Sequence, residues 1–153
     1  MNKYRQHLGK QQGFTLLEAT VSLLVLSIGM LGIAALFFDG LKSGRTAVYR
    51  TTAIYLVSDM ADRIRANPAG GAAYGQAGQD NGCEAPDATC TPLEMAQEDV
   101  VFWSTEVTAF MPPGTESDLD VEVGLVTTVY TISITWPEAG YDEPMNYSIE
   151  LEM

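Results

Sequence analysis

The chain has 153 residues, of which 46% are hydrophobic, and its formal net charge at pH 7 is −12. This length accommodates one domain of ordinary size and an appendage. All eight lysines and arginines precede residue 66, whereas sixteen of the twenty acidic residues follow it. A C-terminal part that is acidic and has no base repels phosphate backbones, which argues against nucleic acid as a partner.

The first predicted element is an apolar helix behind a short basic block. Residues 1–13 contain Lys3, Arg5 and Lys10 and no acid, and residues 19–38 are uncharged and mostly apolar. At 1.5 Å per residue this run spans the ~30 Å hydrocarbon core of a bilayer. Because basic flanks stay in the cytoplasm, we expect the rest of the chain to be exported. A secretory signal peptide fits poorly, since its apolar region has only ~7–15 residues and ends in a small-residue cleavage site.

One acid, Glu18, stands at the start of this apolar helix. A charge inside a bilayer costs roughly 3 kcal/mol on insertion scales, which makes Glu18 a functional candidate. Glu18 can instead reach out of the membrane or interact with the helix dipole. If a protease cuts between Gly13 and Phe14, the new amine lies one helical turn away, and at ~4 Å such a pair attracts by about 4 kcal/mol. The pair can form within one chain or between neighbouring chains, and the sequence does not decide between these.

The stretch Gly13-Phe14-Thr15-Leu16-Leu17-Glu18, behind a basic leader and before an apolar helix, resembles the class III signal of type IV pilins and type II secretion pseudopilins. This resemblance implies that a prepilin peptidase cleaves after Gly13 and methylates Phe14. It also implies that Glu18 helps to dock the subunit into a growing filament. The segments "SIGMLGIAAL", "LVSDMADRIRANPAG", "FWSTEVTAFMPPG" and "YTISITW" are similar to the PilV minor pilin family, also called type IV pilus modification proteins.

The resemblance also implies partners and locations. The partners are the lipid bilayer before assembly, the prepilin peptidase, an inner-membrane assembly platform, and other major and minor pilins that contact the N-terminal helix. The protein is then expected in the inner membrane, with a single span and its head in the periplasm, and later in a surface pilus. The expected domains are a removed leader (1–13), a transmembrane and assembly helix (14–38), an amphipathic second half of that helix (39–67) and a globular head (68–153).

The second half of the long helix carries an apolar stripe at i, i+3, i+4 spacing, which predicts one buried face. Its members are Ala53, Leu56, Val57, Met60 and Ile64. Asp59 and Arg63 are spaced for an i, i+4 ion pair, and Asn67-Pro68 predicts the end of the helix. Four glycines weaken the helix and allow local bending, melting or close helix packing. These are Gly29, Gly32, Gly40 and Gly44.

Residues 69–81 are rich in glycine and alanine and predict a loop or linker. Cys83 and Cys90 follow, and two cysteines in an exported segment favour a disulfide. In the PilV family a cysteine pair is often found at this place. Zinc is disfavoured because the single histidine lies in the leader. The nearby acids provide no EF-hand spacing for calcium, so a solvated acidic surface is the preferred interpretation. These acids are Asp80, Glu84 and Asp87.

The rest of the chain predicts a second helix and three strands. Thr91-Pro92-Leu93-Glu94 has the pattern of a capping box, and apolar residues then recur every three or four positions until Pro112-Pro113-Gly114. Trp103 is expected in the core. Strands are predicted at 119–123, 127–136 and 146–152, with a turn at 137–145. The expected fold is α+β and type IV pilin-like, with a long N-terminal helix packed on a small antiparallel sheet and one additional helix.

No Ser/His/Asp set, P-loop or GxGxxG motif is present in the exported part. The spacing does not exclude a pair of catalytic carboxylates but selects no pair among the sixteen acids, so we expect neither enzymatic activity nor a cofactor. The favoured function is a minor pilin of a type IV pilus, which primes assembly or is incorporated into the filament. One alternative is a minor pseudopilin of a type II secretion system, which shares every N-terminal feature. The other is a membrane-anchored periplasmic binding domain that never polymerises.

Overall fold

The computed structural model describes residues 13–153, so most of the expected leader lies outside the described residues. The described residues divide into two compact units, of which the first ends at Leu41 and the second is Lys42–Met153. Helix α1, Leu16–Ala66, contributes to both units and is 51 residues long. It begins two residues later than expected and ends at the predicted position. It is continuous through all four glycines, so the melting that they allow is not seen.

The second unit contains the remaining elements. A 3-10 helix (Pro68–Gly75) is followed by helix α2 (Pro92–Phe110) and by the strands β1 (Glu116–Val123), β2 (Thr128–Trp136) and β3 (Met145–Glu152). The strands form one antiparallel sheet in the order β1-β2-β3. The sheet register places Ile132 of β2 opposite Leu119 of β1 and Ile149 of β3. All three predicted strands are present, and β1 begins three residues earlier than expected.

The core of this unit joins the second half of α1 to one face of the sheet, as the apolar stripe predicted. The predicted stripe residues of α1 are all at most 1% exposed. They share one apolar cluster with Tyr130, Ile132, Ile134 and Trp136 of β2. Trp103 of α2 is buried in the same cluster, and its indole nitrogen donates a hydrogen bond to the Leu56 carbonyl at 2.9 Å. This bond fixes α2 to α1 in an otherwise apolar contact.

The prediction of a loop over 69–81 is wrong for its first part. Pro68–Gly75 forms 3-10 turns on either side of a kink at Gly71, where φ is 47°, and packs into the core with Ala73 and Tyr74 buried. A Cβ on Gly70 would lie 2.9 Å from the Ala96 side chain, so glycine permits this close approach to α2. The glycine and alanine content therefore serves tight packing here and does not indicate a flexible linker.

A polar network ties the 3-10 helix and α2 to the end of α1. The Arg63 guanidinium contacts Asp59 at 2.8 Å, as predicted, and also Asp99 of α2 at 3.1 Å. Burial lowers the pKa of Arg63, but its hydrogen bonds and charge interactions with the two aspartates outweigh burial and leave the pKa raised. The Tyr74 hydroxyl lies within hydrogen-bond distance of Asp99 and of the Arg63 carbonyl. Burial and then the Asp99 charge raise the pKa of Tyr74.

The capping box predicted at the start of α2 is confirmed. The Thr91 hydroxyl accepts a hydrogen bond from the Glu94 amide, and the Glu94 carboxylate accepts one from the Thr91 amide at 2.8 Å. The Thr91 hydroxyl also donates a hydrogen bond to the Glu94 carboxylate at 2.8 Å. The bond from the Thr91 amide and then the bond from its hydroxyl lower the pKa of Glu94. The helix ends at Phe110, before the two prolines.

Candidate assembly surface

The start of α1 is fixed by a threonine cap. The Thr15 hydroxyl accepts a hydrogen bond from the Glu18 amide at 3.2 Å, and the Thr15 carbonyl accepts one from Ala19. Thr15 is therefore the N-cap, and Glu18 occupies the third helical position. The Thr-x-x-Glu spacing is a capping-box pattern, a local signal from which this helix start could have been predicted.

The bond between Gly13 and Phe14 lies just outside this helix. Residues 13–15 have no regular secondary structure, and Gly13 and Phe14 are exposed. No described atom lies within 4 Å of the place where a Cβ on Gly13 would be. The described part of the chain therefore has no packing reason for glycine at this position, and both residues of the bond are exposed.

Glu18 is exposed, and its carboxylate forms no hydrogen bond or ion pair with residues 13–153. Its position in the first turn favours a negative charge, because the helix dipole is positive there, by at most ~1 kcal/mol. That amount does not offset the roughly 3 kcal/mol cost of a charge in a bilayer. The carboxylate is thus available to a cation outside the described structure.

Between Ala19 and Leu41, helix α1 exposes its large apolar side chains. These include Leu23, Leu24, Val25, Leu26, Ile28, Met30, Leu31, Ile33, Leu36, Phe37, Phe38 and Leu41. By its length and composition this helix could cross a membrane. An apolar helix without cover is unfavourable in water, so this segment requires lipid or other helices around it.

Cys83 and Cys90 form a disulfide in the second unit, with their Cα atoms 5.7 Å apart. The loop that carries them is held on α2 by Glu98, which is only 4% exposed. One carboxylate oxygen of Glu98 accepts hydrogen bonds from the amides of Asn81 at 2.9 Å and Cys83 at 2.8 Å. Sequence reasoning missed Glu98, because nothing in its spacing separates it from the solvated acids.

The outer face of the sheet is acidic. β1 exposes an acid at every second position, and β3 exposes two more. They are Glu116, Asp118, Asp120, Glu122, Glu150 and Glu152. Within residues 13–153 none of them forms an ion pair, and no group of three or more acid, cysteine or histidine side chains is placed to hold a metal ion. This face presents unpaired carboxylates to its surroundings.

Two family models match the chain in adjoining segments. A model described as "Prokaryotic N-terminal methylation motif" matches residues 8–34, and one described as "Type IV pilin Tt1218" matches residues 35–101. The first covers Gly13, Phe14 and Glu18, and the second covers the disulfide and the first half of α2. No curated protein and no solved structure matches the chain at a significant level.

Proposed function

We propose that this chain is a minor pilin of a type IV pilus, a proposal supported by its type IV pilin-like fold and by the two family models that match residues 8–34 and 35–101. The observation that carries the proposal is the exposed apolar half of α1 directly behind the exposed residues Gly13 and Phe14. Such a helix is covered by lipid before assembly and by neighbouring pilin helices in a filament. The apolar half of α1 is thus buried in lipid before assembly and against other helices after it.

Processing is proposed at the Gly13–Phe14 bond. A prepilin peptidase removes residues 1–13 and methylates the amine of Phe14. The carboxylate of Glu18, which has no partner among the described residues, then meets an N-terminal amine. If the amine belongs to the neighbouring subunit, the pair sets the axial register of the new subunit and offsets the cost of the buried carboxylate.

The proposed location follows from the same arrangement. Residues 14–38 cross the inner membrane, and the amphipathic second half of α1 and the head lie in the periplasm. The disulfide between Cys83 and Cys90 suits this oxidising compartment. After assembly the head lies on the cell surface with the pilus, where its acidic sheet face meets other proteins or the medium. The similarity of several segments to PilV minor pilins supports the pilus over other filaments.

A minor pseudopilin of a type II secretion system is the second candidate, since the cleavage motif and the apolar helix serve both systems. Deletion of the gene separates the two. The pilus proposal expects loss of surface pili and twitching motility with protein secretion unchanged. Loss of secretion with normal pili and twitching would establish the pseudopilin instead.

A further inference from the structure

The second unit contains an apolar groove between α1 and the end of α2. The groove has a volume of about 380 Å³ and is lined by Thr51, Thr52, Tyr55, Leu56 and Phe110. Two of its aromatic side chains are largely exposed, Tyr55 at 69% and Phe110 at 64%. Exposed aromatic side chains around an apolar depression are typical of the centre of a protein interface.

The groove is uncharged in a strongly acidic protein. None of its lining residues carries a charge, although residues 66–153 contain sixteen acids and no base. A second shallow depression on α2 is likewise lined only by uncharged residues, Ser104, Thr105, Thr108 and Ala109. Depletion of charge distinguishes interface cores from the rest of a protein surface. The occupant of this groove is therefore expected to be apolar.

The α1 side of the groove has the spacing of a helix-packing seam. Thr51 and Tyr55 of the lining lie on one face of α1 with Val48, which is outside the groove, because the three are separated by three and four residues. Counted back along the sequence, the same alternation meets Gly44, Leu41, Phe37 and Ala34, all uncharged. The lining of the groove is thus continuous in pattern with the apolar segment through which pilins assemble.

We propose that this groove is the seat for the apolar first half of α1 of a neighbouring pilin subunit, with Phe110 of α2 as an anchor. This inference rests on the proposed function and adds α2 to the assembly surface. The neighbour's helix offers mostly apolar side chains and no charge between Ala19 and Phe38, which suits an uncharged groove. Packing of two helices at 8–10 Å buries apolar side chains on both.

The test is site-specific photocrosslinking in the native cell. The photoreactive analogue p-benzoylphenylalanine replaces Phe110 in the full chain, and in a control it replaces Leu125, which is fully exposed in the β1–β2 turn. Irradiation of filaments should join position 110, but not position 125, to a peptide within residues 14–38 of this chain or the matching apolar segment of another pilin. Mass spectrometry of the product locates the bond. A product elsewhere, or none, in filaments that contain the protein would overturn the inference.

A charge in the groove provides a second readout. Phe110→Glu should lower the amount of protein in sheared filaments by at least about tenfold, whereas Leu125→Glu should not. Both variants should keep the disulfide and the membrane-bound pool, because both positions are exposed. Equal recovery of the two variants would contradict the groove assignment. Absence of the unmodified protein from filaments would instead contradict the proposed function.

Discussion

The Glu98 carboxylate accepts a hydrogen bond from the Cys83 amide at 2.8 Å, next to the disulfide that Cys83 forms with Cys90. The same oxygen accepts the Asn81 amide, so one buried side chain supplies the acceptor for two backbone donors. Glu98 and the disulfide therefore hold one loop by two independent means, and the loop stays on α2 without an apolar core of its own.

Replacement of Glu98 should destabilise the protein through this loop. Glu98→Ala leaves the partly buried amides of Asn81 and Cys83 without an acceptor and should lower the free energy of unfolding by about 1–3 kcal/mol. Urea unfolding of the full chain in detergent, followed by tryptophan fluorescence, measures this. Glu106→Ala on the same helix is the matched control, because Glu106 makes no hydrogen bond with a described residue, and it should change stability by less than about 0.5 kcal/mol. Equal effects of the two changes would refute the anchoring role.

Removal of the disulfide should lower the free energy of unfolding without unfolding the protein. The cysteines are only seven residues apart, and closure of so short a loop contributes about 2–3 kcal/mol. The double variant Cys83→Ser with Cys90→Ser should therefore remain folded, with lower stability in the same urea assay. An unfolded double variant would show that the bridge carries more of the fold than loop closure accounts for.

Tyr74 should make the protein sensitive to alkaline pH. Its pKa in the folded protein is raised by burial and then by the charge of Asp99. The contribution of Tyr74 to the free energy of unfolding is therefore fully present below its pKa in the unfolded chain, about 10. It is lost as the pH rises above that value, because unfolding then releases a proton. Tyr74→Phe should cost about 1–2 kcal/mol near neutral pH, from the lost hydroxyl hydrogen bonds, and reduce the loss of stability between pH 9 and 11. The residual slope includes Tyr130, whose pKa burial also raises. An unchanged slope in the variant would contradict this assignment.

Two glycines should respond to alanine in opposite directions. At Gly70 a Cβ would lie 2.8 Å from the Tyr74 ring and 2.9 Å from Ala96, so Gly70→Ala should cost about 1–3 kcal/mol. At Gly44 the corresponding space is open and the residue is inside α1, so Gly44→Ala should stabilise by about 0.5–1 kcal/mol. Thermal unfolding of both variants in detergent provides the comparison. A tolerated Gly70→Ala would mean that the 3-10 helix is not packed as described.

The charge of Glu18 should matter for assembly and not for membrane insertion. Glu18→Gln keeps the shape of the side chain and lowers the insertion cost, so the membrane-bound amount should not fall. Its amount in sheared surface filaments should fall steeply, because the amine of Phe14 loses its partner. Glu18→Asp keeps the charge and serves as the control, with a smaller loss. Normal recovery of the Gln variant in filaments would contradict the assembly role of the Glu18 charge.

The elements with strong periodicity could be predicted from the sequence. The buried stripe of α1, the capping box at Thr91 and the alternation in β2 each lie in a local pattern that tertiary structure did not override. The 3-10 helix could not be predicted, since the packing of Gly70 against Ala96 joins residues far apart in sequence. The role of Glu98 and the groove at Phe110 could not be predicted either, because both depend on tertiary contacts. The N-cap at Thr15, by contrast, could have been predicted, because the spacing of Thr15 and Glu18 is a local signal.

The central claim is that this chain enters filaments as a processed pilin, and the intact mass of the protein recovered from sheared surface filaments tests it most directly. The account predicts a chain that starts at Phe14, carries one added methyl group and has lost the two hydrogens of a Cys83–Cys90 disulfide. A functional protein from the same fraction that still carries residues 1–13 would contradict it.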